Sequence, residues 1–132
     1  LRHLADGDEP SLLTRYFELR LLDLVGYRPE LKRCVACGAV HEPGPAFFSN
    51  HDGGVRCRRC GAGSGMEMSL AAFKVMRYLQ TQEYEAARAL HLRRETLREV
   101  RLLLQRYLGS ILERHLKSAS FLSQVCEAEN GL

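Results

Sequence analysis

Two cysteine pairs set the limits on what this chain can become. Cys34-Val35-Ala36-Cys37-Gly38 and Cys57-Arg58-Arg59-Cys60-Gly61 repeat one pattern, with 19 residues between Cys37 and Cys57. A two-residue gap lets both sulfurs of a pair turn onto one ion, and two such pairs at this separation have zinc-site spacing. Four thiolates from Cys34, Cys37, Cys57 and Cys60 complete a tetrahedron and leave no position for water. The ion is therefore read as structural Zn2+. A glycine after each pair suits a tight turn, where positive φ is useful. The alternatives are two disulfides or a metal since lost. Nothing else in the chain suggests the oxidising setting that disulfides need. His41 and His51 lie between the pairs and, with four ligands in place, are read as loop histidines. Cys126 is left over as a free thiol.

Between the pairs, Phe47-Phe48-Ser49 and Val55-Arg56-Cys57 flank Asn50-His51-Asp52-Gly53-Gly54. Apolar residues on either side of an Asn/Asp/Gly turn predict a β-hairpin. Knuckle, hairpin and knuckle make a zinc ribbon with a thin apolar supply: Val35, Val40, Phe47, Phe48 and Val55. A core this small needs the metal, which contributes on the order of 10–16 kcal/mol.

The rest of the chain reads as helical. Ser11 is expected to cap a helix running to about Val25, apolar around most of its circumference and so central to a bundle. Gly26 and Pro29 end it. Helices that could cover it come only after residue 66. The expected fold is mostly α: a discontinuous helical bundle, 1–29 and 67–132, with a small four-Cys β zinc ribbon inserted at 30–66. The helical core is expected to be separate from the ribbon's. Gly61-Ala62-Gly63-Ser64-Gly65 reads as a flexible exit. Ser69 caps the next helix, and Thr81 a third through about Leu90. The longest element is expected from Arg93 to Leu116, with Leu97, Val100, Leu104, Tyr107, Leu108, Ile111 and His115 on one face. His115 is read as a core histidine. Ser118-Ala119-Ser120 is expected to break this helix, with Phe121 and Leu122 anchoring a short turn and a frayed end from Glu127 to Leu132.

At 132 residues the chain is one domain or two small ones. It starts at Leu1 without a methionine, so a missing N-terminal part has to be considered. No run is apolar enough to span a membrane, no signal peptide opens it, and the cysteine usage fits a reducing cytoplasm. The net charge of +3 is unevenly spread. Five acids against Arg2, Arg15 and Arg20 leave residues 1–27 at −2, whereas ten bases against five acids put residues 70–117 at +5. Arginine outnumbers lysine 16 to 3, as phosphate binding favours and as a GC-rich genome also produces. Arg94, Arg98 and Arg101 form a stripe beside the apolar face of the long helix, and Arg56, Arg58 and Arg59 cluster on the second knuckle. Both sets are candidate DNA contacts; the alternative for each is a solvated surface. No phosphate loop, nucleophile elbow or His-Glu-x-x-His is present, so nothing in the sequence suggests an enzyme.

Tyr16-Phe17-Glu18-Leu19-Arg20-Leu21-Leu22, Gly26-Tyr27-Arg28-Pro29-Glu30-Leu31 and the first cysteine pair together resemble the bacterial recombination mediator family RecO. So do Phe48-Ser49, Gly53-Gly54-Val55-Arg56-Cys57, Met68-Ser69-Leu70, Arg114-His115-Leu116-Lys117-Ser118 and Phe121-Leu122. The resemblance covers most of residues 10–122. It implies the family's C-terminal helical region with its ribbon; the N-terminal OB-fold of the family is not matched. The implied function is binding in DNA repair: engaging single-stranded DNA-binding protein and single- or double-stranded DNA, supporting RecA loading and strand annealing, in the cytoplasm and with the nucleoid during repair. Association with RecR is expected through the unmatched OB-fold. The resemblance also implies a receptor for the acidic C-terminal tail of single-stranded DNA-binding protein. Arg15 stands where relatives place a basic residue for the tail carboxylate, with Arg20 and Tyr16 beside it. The competing readings are a transcription-type zinc-ribbon module that contacts nucleic acid, and a purely structural scaffold.

Overall fold

The computed structural model describes residues 10–42, 44, 46–61 and 65–130, with side chains over 12–118 of these. Helix α1 spans Pro10–Leu24, strands β1 and β2 span Ala46–Ser49 and Gly54–Arg56, and α2 is a single turn, Arg58–Gly61. Strand β3 (Met66–Met68) then leads into α3 (Leu70–Thr81), α4 (Tyr84–Arg88) and the long α5 (Arg94–Asn130). The fold is mostly helical, with a small antiparallel sheet carrying the cysteine loops.

Helix α1 ends as its sequence dictates. Gly26 takes φ 90°, a left-handed conformation that glycine adopts without strain. The Tyr27 N–H donates to Leu22 O at 2.8 Å and the Gly26 N–H to Asp23 O at 3.4 Å, the paired bonds of a Schellman cap. Its start differs from expectation: the helix already includes Pro10, so Ser11 lies within the first turn. Proline lacks the N–H that would have been orphaned there.

The hairpin forms with Phe47 opposite Arg56, Phe48 opposite Val55 and Ser49 opposite Gly54. A third strand was not foreseen. β3 pairs antiparallel with the other edge of β1, which makes β1 central in the order β2-β1-β3. Met66 and Met68 come straight after the glycine-rich exit, of which 62–64 lie outside the described residues. Ser69 caps α3 as expected: its side-chain oxygen accepts from the Ala72 N–H at 3.2 Å. Glu99 of α5 holds the same residue, accepting from the Ser69 N–H and Oγ–H at 2.7 Å each.

Two helix boundaries are corrected. Thr81 does not cap α4. It is the last residue of α3, and its hydroxyl donates back to Arg77 O at 2.9 Å. Glu83 stands at the α4 N-cap without a side-chain cap bond, and α4 ends at Arg88. The break expected at Ser118-Ala119-Ser120 is also absent: α5 runs 37 residues, through to Asn130. Serine in a helix interior is unfavourable by only a few tenths of a kcal/mol, and no proline interrupts this stretch. The side chains of Phe121, Leu122 and Cys126 lie outside the described residues, as does the segment before Pro10.

The two cores expected are one. Leu12, Tyr16, Leu19 and Leu22 of α1 join Phe73, Met76 and Leu79 of α3 and Val100, Leu103, Leu104 and Tyr107 of α5. The same cluster takes in Ala46, Phe48, Val55 and Met68 from all three strands. The Phe48 ring meets Tyr107 edge-on at 5.4 Å, and the Tyr107 hydroxyl donates to Tyr27 O at 2.8 Å. Burial holds the Tyr107 phenol above its usual pKa, which suits a hydroxyl kept as a donor. The buried Gln80 amide donates to Pro29 O at 2.8 Å, which ties α3 to the segment that enters the ribbon. The inserted loops therefore form one wall of the helical body.

Candidate metal centre and surface cations

Each knuckle is a turn that brings two sulfurs round. In the first, the Gly38 N–H donates to Cys34 O at 2.8 Å, and Gly38 takes φ 79°. In the second, the Gly61 N–H donates to Cys57 O at 2.7 Å and the backbone closes into α2. The four sulfurs of Cys34, Cys37, Cys57 and Cys60 lie within 4.8 Å of one another. The Cys37 and Cys57 sulfurs are 4.0 Å apart. A tetrahedron with metal–sulfur bonds of about 2.3 Å has sulfurs about 3.8 Å apart, whereas a disulfide would need about 2.0 Å. All four cysteines are free, so the geometry fits a metal and not two disulfides.

The protons tell the same story. Burial alone would raise the Cys34 thiol, but N–H groups of Cys57, Cys37 and Ala36 outweigh it and bring the pKa down to about 6. The Cys57 and Ala36 N–H groups both stand 3.4 Å from the Cys34 sulfur. Cys57 is lowered chiefly by the Cys60 backbone N–H. Cys60, whose thiol is hydrogen-bonded to the sulfurs of Cys57 and Cys37, is pushed up to about 12. Four sulfurs this close do not all ionise without a cation among them, and a coordinating metal deprotonates a thiol outright. Among the described residues this is the one cluster of three or more potential ligands. It can hold a single metal ion.

Neither histidine between the pairs joins it. His41 is buried, with its ring edge-on to Phe73 at 4.8 Å, and packs the ribbon onto α3. His51 is exposed in the hairpin turn.

The arginines fall into three settings. Arg56 is taken up by Asp52 at 2.5 Å, which leaves Arg58 and Arg59 as the exposed cations of the knuckle. Arg58 lines a hollow of about 680 Å³ that also holds Glu67 and Glu99. Four thiolates on a divalent ion would leave a net −2, which these cations would balance. Arg94, Arg98 and Arg101 are all exposed on α5. At 100° per residue, Arg98 lies 100° round the helix from Glu99, and Arg94 and Arg101 lie further still. The structure thus does not bring the stripe and the knuckle arginines onto one face.

Arg15 and Arg20 also differ. The Arg15 side chain is only 6% exposed, with Nε 2.6 Å from Glu18 Oε1, so it is inside the surface and partnered by an acid. Arg20 is half-buried with its guanidinium 5.0 Å over the Tyr16 ring, and it donates to Gln82 O. Phe17 stacks on Tyr84 at 6.0 Å and meets Tyr16 edge-on at 5.4 Å. The Phe17–Tyr84 contact joins residues 67 positions apart, which no local pattern in the sequence could announce. His115 is corrected: it is exposed, with Nε2 3.0 Å from the Tyr27 hydroxyl.

No helix among the described residues is long and apolar enough to cross a membrane. A family model described as recombination protein O C terminal matches residues 1–120. The DNA repair protein RecO of Roseiflexus sp. (strain RS-1) is 44% identical over 127 residues, covering 95% of this chain and 45% of that protein. The RecO protein of Pelotomaculum thermopropionicum is 37% identical over 134 residues, covering 99% of this chain and 51% of its own length. The chain thus spans about half the length of the curated relatives it matches. No solved structure matches it. On this match the chain belongs to the RecO family, in the part described as the C terminus of recombination protein O.

Proposed function

We propose that the chain is the C-terminal part of a RecO-like recombination mediator, acting by binding and without a covalent step. The four-thiol site would hold zinc, closed to substrate and serving the fold. The exposed Arg94, Arg98 and Arg101 would contact DNA phosphates without sequence preference, in a manner that weakens steeply with salt. The protein partner would be the acidic C-terminal tail of single-stranded DNA-binding protein.

One observation carries the partner reading: Arg20 stands over Tyr16, beside the open Phe17–Tyr84 stack. A peptide that ends in an apolar residue with a free carboxylate needs an apolar seat and a cation next to it. Arg15 would set the seat from inside, through Glu18. The test is titration of a tail peptide into wild type, Arg20→Ala and Arg15→Ala, with circular dichroism as the folding check. Loss of Arg20 is expected to weaken binding about ten- to a hundredfold. Equal affinities for wild type and Arg20→Ala would remove this seat. The sharing of one core by ribbon and helices supports a second reading, in which the ribbon is a stabilising insertion that touches neither partner.

A further inference from the structure

Solvent reaches the four clustered cysteines unequally. Cys34 is buried, Cys57 and Cys60 are half-buried, and Cys37 alone of the four is exposed. Its neighbours do not shield it. Ala36, Gly38 and Ala39 are exposed as well, and nothing lies within 4 Å of where a Cβ on Gly38 would stand. A small oxidant arriving from water therefore meets Cys37 first.

A thiol that holds a metal ion is deprotonated, and the thiolate is the form that attacks a hydroperoxide. An accessible thiol of this kind becomes reversible in its chemistry when a second thiol stands ready to resolve it. The Cys57 sulfur stands 4.0 Å from that of Cys37 and belongs to the other knuckle. Cys34, in the same knuckle as Cys37, is the poorer resolving partner. It is buried, and the N–H groups of Ala36 and Cys57 stand 3.4 Å from its sulfur. Joining Cys37 to Cys57 needs the two sulfurs to close by about 2 Å. No neighbour packs on the glycine beside Cys37, so that side of the first knuckle can shift.

We propose that Cys37 is a peroxide-reactive thiol whose oxidation joins it to Cys57 and empties the four-thiol site. The inference rests on the reading of that site as a zinc centre. The Cys37 thiolate attacks one oxygen of hydrogen peroxide, the O–O bond breaks, and the departing hydroxide takes up a proton. Cys37 is then a sulfenic acid. The Cys57 thiolate attacks the Cys37 sulfur, an S–S bond forms, and a second hydroxide leaves and is protonated. The two sulfurs give up two electrons, and the peroxide takes them with two protons and ends as two waters. Cys34 and Cys60 remain, and two thiolates do not complete the tetrahedron that a structural zinc requires. The outcome differs from chelation, because the new bond ties together two knuckle residues 20 positions apart.

The experiment treats the zinc-loaded 132-residue chain, carrying Cys126→Ser, with hydrogen peroxide. Zinc release is followed with a metal-sensitive dye, and disulfides are mapped by mass spectrometry of peptides cut without reduction. Zinc is expected to leave in step with the appearance of a Cys37–Cys57 bridge, and dithiothreitol with added zinc should reverse both. Cys37→His keeps a fourth ligand, as in Cys3His sites, and should slow the release about tenfold or more. A bridge within one knuckle, Cys34–Cys37 or Cys57–Cys60, overturns the proposal. So does zinc retained under peroxide, or release from Cys37→His at the unsubstituted rate. The mapped bridge decides the matter even where the histidine variant fails to fold. A chain that takes up no zinc before treatment overturns the zinc reading instead, and the bridge still tests the reactivity of Cys37.

Discussion

Gly38 and Gly61 hold the same place in two copies of one motif, one residue after the second cysteine of each pair. Gly38 takes φ 79°, and nothing lies within 4 Å of where a Cβ would stand. Gly61 has no positive φ, but a Cβ there would come 2.7 Å from the Phe47 side chain. The first glycine serves backbone conformation in an open turn; the second allows close packing against the sheet. The knuckles differ accordingly: the second packs against β1, whereas the first buries Cys34, bonds to β2 through the Val35 N–H and leaves Cys37 exposed. A metal held by all four cysteines would tie the two turns together.

Removing that tie is the largest test. Chelation of the proposed zinc, or Cys57→Ser, withdraws a contribution on the order of 10 kcal/mol. The ribbon should be lost, and the melting temperature of the helical part should fall with it, because Phe48, Val55 and Met68 belong to the helical core. Thermal melts followed by circular dichroism check this. Unchanged helix melting after metal loss would restore the separate cores that the sequence suggested. Acid should act as chelation does, by protonating the ligands.

The glycines sharpen the comparison. Gly61→Ala overpacks against Phe47 and should destabilise by about 1–3 kcal/mol. Gly38→Ala meets no neighbour and should cost only about 1–2 kcal/mol, from left-handed backbone, with Gly38→Asn milder still. Urea unfolding of the three variants, metal bound, reads the differences directly. Equal losses for the alanine and asparagine variants at Gly38 would mean that conformation is not its reason.

The smallest effect lies in the hairpin turn beside the second knuckle. Arg56 first, and Ser49 after it, hold the Asp52 carboxyl below its usual pKa. A lowered carboxyl stabilises the fold above its unfolded pKa, and that help is lost as pH falls through the folded value. Asp52→Asn should therefore lower the urea midpoint slightly at neutral pH, and the gap from wild type should close below the usual carboxylate range. A gap that persists in acid would assign Asp52 a role other than charge.

What the sequence made legible was what local chemistry controls. Cysteine spacing located the four-thiol cluster, the Asn-His-Asp-Gly-Gly run located the hairpin turn, and Gly26 and Ser69 located helix ends. What it hid depends on distant neighbours. β3 is three residues long and gains its identity only by pairing with β1. Arg15 has the look of a surface cation, yet α1 turns it inward beside Glu18. The single core could not be read from periodicity, because Val55 and Phe48 give the same pattern whether they face each other or a helix. Ser118-Ala119-Ser120 resembled a stop because serine favours helix ends, but without proline or glycine it only weakens a helix.

The central position of β1 has a consequence for the order in which the molecule assembles. Helix α1 must meet α3 across residues 25–69, a gap of 45 residues that contains the whole sheet and both knuckles. As a random coil, that gap imposes a loop-closure entropy before any long-range contact forms. Once the thiols have gathered an ion, the gap becomes a short, stiff span with its ends held near each other. Ion capture ahead of collapse would thus bring distant helices within reach, and scarcity of the ion would slow folding before it weakened the finished protein.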